Sequence, residues 1–77
     1  MPRYFFDVHD GERHTKDDSG IELPSVSHVW EIAVPMVDEI VRAEYGGTPS
    51  RTISVVVRDV CDVVVYRSDI IGRQSFG

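Results

Sequence analysis

SVSHVWEIAVPMVDEIVRAEYGG, residues 25–47, decides the fold, because it is the one long run with helical periodicity between two strand-rich ends. At about 100° per residue, Val26, Val29, Trp30, Ala33, Val37 and Ile40 share one face. Val34, Met36 and Val41 widen that face, while His28, Glu31, Asp38, Glu39 and Arg42 point away and Ile32 falls outside the stripe. Ser25 is placed as the N-cap, since its hydroxyl can accept from the free amides of the first turn. Gly46-Gly47 supplies a left-handed stop, so a helix is predicted from Val26 to Tyr45. Pro35 sits inside it, removing one backbone bond and crowding the Glu31 carbonyl. The reading is a kink at Pro35, with a split into two shorter helices as the alternative.

Strands are expected on both sides of the helix. Before it, Arg3 to His9 alternates Tyr4, Phe6 and Val8 with Phe5, Asp7 and His9, and Asp10-Gly11 turns the chain. A short polar strand follows over Arg13 to Lys16, of the kind that protects a sheet edge. Asp17-Asp18-Ser19-Gly20 is a turn, and Ile21-Glu22-Leu23 continues extended to Pro24. After the helix and a Gly-Gly-Thr-Pro loop, Arg51 to Arg58 is a β-branched strand. Asp59-Val60-Cys61-Asp62 turns the chain into a last strand, Val63 to Arg67. The predicted fold is α+β: a four-stranded antiparallel sheet in ββαββ order with one long, Pro-kinked helix on one face. A single domain is expected over residues 1–69, with 70–77 as a loose tail holding Ile70, Ile71 and Phe76.

One helix over four strands leaves a sheet face open. Tyr4, Phe6, Val8, Ile53, Val55 and Val57 are assigned to the helix side. Phe5 and Val56 are assigned to the open side, with either Val64 and Tyr66 or Val63 and Val65, depending on whether the last turn is bulged. Phe5, Val56, Val64 and Tyr66 are the candidate interface residues. An apolar patch there, on a core this small, predicts a homodimer through the open face or an edge strand, or a complex with another protein.

Bulk properties exclude more than they assign. Seventy-seven residues are too few for two domains. At 42% hydrophobic and 27% charged the chain is in the ordinary globular range. Its net charge of −5 is uneven: residues 1–45 carry ten acids against four bases, and residues 46–77 carry three against four. Such a balance, with no basic stripe, argues against binding to nucleic acid or an anionic membrane. The lone Cys61 cannot staple the fold, and no signal peptide or membrane-spanning run is read near Met1, so a cytoplasmic location is expected.

Few residues offer chemistry. His9 and His14 flank the first turn. With Gly11-Glu12 as the two-residue loop they face each other and, with Asp7, Asp10 or Glu12, could hold a divalent metal; with Asp10-Gly11 as the loop they separate. Asp17 and Asp18 lack the alternating oxygen ligands of a calcium loop and read as turn residues. Cys61 stands beside Asp59 and Asp62, neighbours that disfavour a thiolate, and reads as an incidental surface thiol. Tyr4, Phe5 and Phe6 lack the Lys and Arg that accompany base-stacking sheets. Trp30 is assigned to the core. No catalytic set or cofactor motif is read, and the function expected is a non-enzymatic interaction module.

The opening Arg3-Tyr4-Phe5-Phe6-Asp7-Val8 with Asp10-Gly11, the turn Asp17 to Gly20 and the Glu22-Leu23-Pro24 lead-in to the helix resemble a family of short bacterial proteins of unknown function. The likeness covers roughly residues 3–67 and implies the ββαββ fold without any catalytic residue. This chain departs from it at Val26, Trp30 and Pro35, where family helices are rich in Ala and Arg, and at Asp62, where the family's last turn ends in Gly. Asp18-Ser19-Gly20 and Leu23-Pro24 before a long helix are also similar to HicB-type antitoxins, which implies an acidic domain that masks a basic partner.

Overall fold

The computed structural model describes residues 1–47 and 51–72. Its strands are β1 (Arg3–Asp10), β2 (Arg13–Thr15), β3 (Ile21–Glu22), β4 (Ile53–Arg58) and β5 (Val64–Ile70), and its one α-helix is α1 (Trp30–Tyr45). All pairings are antiparallel, in the order β2-β1-β4-β5, and β3 adds to β1 through Arg3↔Glu22 and Tyr4↔Ile21. The sheet thus has a small fifth strand where only extended chain was expected. β2 and β3 pair with opposite ends of β1 and leave its middle to a turn.

The period of two along β1 and β4 builds the core. Tyr4, Phe6, Ile53, Val55 and Val57 are buried under α1, with Val8 half-buried beside them, as the alternation predicts. β4 is the best shielded strand, because it is flanked by β1 and β5 and covered by the helix; Ile53, Val55 and Val57 have no exposed surface.

The helix departs from its predicted layout at the start. Val26–His28 is a single 3₁₀ turn, and α1 begins only at Trp30. Ser25 is extended, and its Oγ lies 2.7 Å from Ser27 Oγ and 3.2 Å from His28 Nδ1 instead of accepting from the first turn. The amides of His28 and Val29 donate to the carbonyls of Ser25 and Val26, the tight spacing that substitutes for a side-chain cap. The helix runs unbroken past Pro35, which sits on its exposed side, so it is not split. It stops at Gly46, left-handed at φ 63°, as expected.

Burial follows one row at four-residue spacing: Val29, Ala33, Val37 and Val41. This row is narrow, with Ala33 at its middle, and it seats the helix closely on the β4 valines. Bulky Trp30 is thereby left on a flank and is 53% exposed, which corrects its assignment to the core; Val26 and Val34 are also exposed. Ile32, placed outside the stripe, instead packs half-buried against the core with Met36 and Ile40. Tyr45 fastens the helix end by donating from its hydroxyl to buried Asp10, 2.6 Å away.

The two hairpins turn differently. The first uses Gly11-Glu12 as its loop, with Asp10 opposite Arg13; only Gly11 has positive φ, the pattern of a II′ turn. In the second, Asp59 Oδ1 accepts from the amides of Cys61 and Val63, and Asp62 takes the left-handed conformation at φ 65°. β5 then runs past the predicted end at Arg67 as far as Ile70, which pairs with Ile53, so Ile70 belongs to the sheet and not to the tail. Residues 73–77, Phe76 among them, and the Thr48-Pro49 part of the second loop lie outside the described residues.

Asp tolerates left-handed backbone because its short polar side chain can bond locally, whereas a β-branched residue does not. Asp62→Val is therefore expected to destabilise the fold by about 1–2 kcal/mol, while Asp62→Gly stays within about 1 kcal/mol of the parent. Urea denaturation followed by circular dichroism checks both values.

Candidate functional site

The open face of the sheet is where the sequence placed its candidate contacts, and the register arranges that face in rows. Phe5 lies opposite Arg58, which lies opposite Val64; Asp7, Val56 and Arg67 form the next row; His14, His9, Ser54 and Asp69 form the third. The face is charged where it was expected to be apolar. Arg58 holds its guanidinium carbon over the Phe5 ring, 4.7 Å from the centroid, and Phe5 is half-buried beneath it. Val56 is half-buried between Asp7 and Arg67, and Val64 is 59% exposed.

Tyr66 does not join them. The ladder slips between Val57↔Tyr66 and Arg58↔Val64, so Val65 is an extra residue in β5. Tyr66, opposite buried Val57, packs on the helix side, while Val64 falls on the open side. Neither expected pair faces out together, because the bulge lies inside the strand and not in the turn.

A tight ionic knot holds the centre of this face to the Asp17–Gly20 turn. Arg58 Nε donates to Asp7 Oδ2 at 2.7 Å, and its Nη2 donates to the Asp17 carbonyl at 2.8 Å. The Asp17 amide donates to Asp7 Oδ1 at 2.9 Å. The Asp17 carboxylate in turn accepts from Phe6 N at 3.1 Å, Ser19 N at 3.0 Å and Gly20 N at 3.1 Å. The Phe6 amide lies in the gap between β2 and β3, where no strand can reach it, so one aspartate completes the edge of β1. Gly20 makes this fit possible: a Cβ there would meet Arg3 Cγ at 2.8 Å and Phe5 Cε1 at 3.0 Å, and its φ is +73°. Arg3 closes the turn from outside, donating to the Ser19 carbonyl at 2.7 Å.

The electrostatics follow from this geometry. Burial pushes the Asp7 carboxyl up, but the Arg58 hydrogen bond, the Asp17 amide and the charges of Arg58 and Lys16 outweigh it and leave it below the ordinary carboxylate value. Asp17 behaves alike: burial raises it, and the three amides and Arg58 outweigh that and leave it below the ordinary carboxylate value. Asp69 is lowered by the hydroxyl of Ser54 and by Arg67, whose Nε is 3.0 Å away.

His9 and His14 are cross-strand partners, because the loop is Gly11-Glu12, and their rings stack with centroids 4.2 Å apart at 30°. Imidazole lone pairs lie in the ring planes, so stacked rings do not aim them at one point. Among the described residues no group of three or more His, Cys, Asp or Glu is set to hold a metal ion. Cys61 is exposed at the tip of the second hairpin. The residues that sequence reading missed are Asp17 and Arg58. Asp17 was read as turn chemistry alone, and its reach to Phe6, eleven residues back, had no local signature.

On the helix side, Met36 and Ile40 overhang Phe6, Val8 and Thr15 to form shallow clefts along β1 and β2. Among the described residues no helix is long and apolar enough to cross a membrane.

These features define a small α+β domain whose sheet has one covered and one charged open face. The chain belongs to the family described as a domain of unknown function, DUF6894, whose model matches residues 3–71. The family resemblance read from the opening strand and helix lead-in is thus shown. No curated protein and no solved structure matches the chain.

Both oxygens of Asp17 are used, so Asp17→Ala leaves the Phe6 amide unpartnered and should cost about 2–3 kcal/mol, with Asp17→Asn costing less. Carboxylates held below their unfolded pKa stabilise the fold above that value and lose the effect as pH falls through the folded one. The gap between the parent and Asp17→Ala should therefore narrow below about pH 4, as measured by denaturation at pH 7 and pH 3.

Proposed function

We propose that this protein is a small non-enzymatic interaction module, working as a homodimer or with a protein partner. The observation that carries this reading is the one-sided layering: α1 covers one face of the sheet, and the other presents Val64, half-buried Phe5 and Val56, and a fixed charge pattern. Its polar groups hold one another, Asp7 with Arg58 and Asp69 with Ser54, which suits a shaped contact surface better than a reacting centre. Exposed apolar groups at Trp30, Val60, Val63 and Val64 add surface that a partner would cover.

A second reading draws on the exposed acids of α1: Glu31, Asp38, Glu39 and Glu44. They suit a basic protein partner, in the manner of a HicB-type antitoxin, and such a complex would weaken steeply with salt.

Multi-angle light scattering from low to high micromolar concentration is the test of the homodimer. A mass near twice the 8.7 kDa of one chain is expected. A monomer at every concentration overturns it.

A further inference from the structure

β5 is an edge strand with a free outer side: it pairs with β4, and no described strand pairs beyond it. Such an edge is a template for another strand, and proteins usually blunt it with Lys, Pro or extra twist. The other edge of the sheet is handled that way, with β2 only three residues long and fully exposed, and Asp17 closing the gap beside it. β5 contains neither Lys nor Pro. Its bulge lies at Val65, so Tyr66 to Ile70 is left as five regular residues.

We infer that β5 pairs with β5 of a second copy, antiparallel, with Ser68 opposite Ser68. This rests on the interaction-module reading and names its partner. A two-fold axis between antiparallel copies of one strand sets a single residue opposite itself. Centring on Arg67 or on Asp69 brings like charges face to face, which is unfavourable. Centring on Ser68 sets Arg67 against Asp69 of the partner subunit twice over. It also sets Tyr66 against the partner's Ile70, apolar against apolar on the helix side. The regular stretch Tyr66-Arg67-Ser68-Asp69-Ile70 is symmetric about Ser68 in just this sense: apolar, positive, small, negative, apolar.

The surroundings fit a second copy. Arg67 and Asp69 are 60% and 39% exposed on the open face and already lie 3.0 Å apart, so a partner's pair completes a four-charge cluster. Ile71, 82% exposed, falls beside Val65 of the partner subunit. Both helices then lie on the same face of one continuous sheet, and Trp30 and Val34 lie on the helix flank away from β1 and β2, toward the junction. The open faces merge into a single charged surface of twice the width.

The test is a charge swap in the full chain. Arg67→Asp sets two acids against two acids across the axis, and Asp69→Arg sets bases against bases. Each variant alone should raise the dimer dissociation constant at least about tenfold, and an equimolar mixture should restore a dimer of one copy of each. Sedimentation velocity reads the masses, and circular dichroism melts establish that each variant is folded. Because Asp69→Arg also removes the bond from Ser54, a second variant is used: Ser68→Cys in a Cys61→Ser background, which should oxidise to an interchain disulfide. Variants that dimerise like the parent, or a Ser68→Cys chain that stays uncrosslinked while the parent is dimeric, overturn this register and leave the interaction module standing. A parent that is monomeric throughout overturns the homodimer itself.

Discussion

The rest of the structure depends on the grip of Arg58 and Asp7 on the Asp17 turn. β1 is the strand on which everything is built, yet its outer edge is covered by two short strands with a gap between them. A backbone amide in that gap has to be satisfied, and the Asp17 carboxylate does so while organising its own turn through Ser19 and Gly20. Arg58 reaches from β4 across the open face to hold Asp7 and the Asp17 carbonyl together. Its side chain is 14% exposed and that of Asp7 15%, so this pair is shielded from water and its geometry is well determined by its partners.

That grip also settles the character of the open face. An arginine placed over the Phe5 ring covers aromatic surface that would otherwise have faced solvent, and it replaces an apolar patch with a patterned ionic one. A surface of this kind favours contact by charge and shape more than by apolar area. Apolar exposure moves instead to the hairpin tip and to the flank of α1 at Trp30 and Val34. The two edges of the sheet then differ in kind: one is closed by short strands and Asp17, and at the other no described strand pairs beyond β5.

Much of this was legible in the sequence, for physical reasons that differ by element. The period of two in β1 and β4 placed Tyr4, Phe6, Ile53, Val55 and Val57 correctly, since pleating leaves no other choice once one face is buried. Gly46 ended the helix where its left-handed tolerance predicts. Trp30 and Ile32 were misassigned because a helical wheel gives relative angles only. Which row touches the sheet is decided by how closely the helix can approach, and the small Ala33 selected the row. Tyr66 was misassigned because a bulge adds one residue without any mark in composition.

The sequence by itself determined the strands-helix-strands order apart from the short β3, the core-facing residues of β1 and β4, and the membership of DUF6894, because periodicity and turn chemistry are local properties that survive any packing. The tertiary structure alone decided that His9 meets His14, that Asp17 caps Phe6, and that Arg58 covers Phe5. Each of these is a contact between residues brought together by the strand register or by a turn folding back on β1. Shifting a ladder by one residue exchanges the faces, and only the assembled sheet fixes that shift.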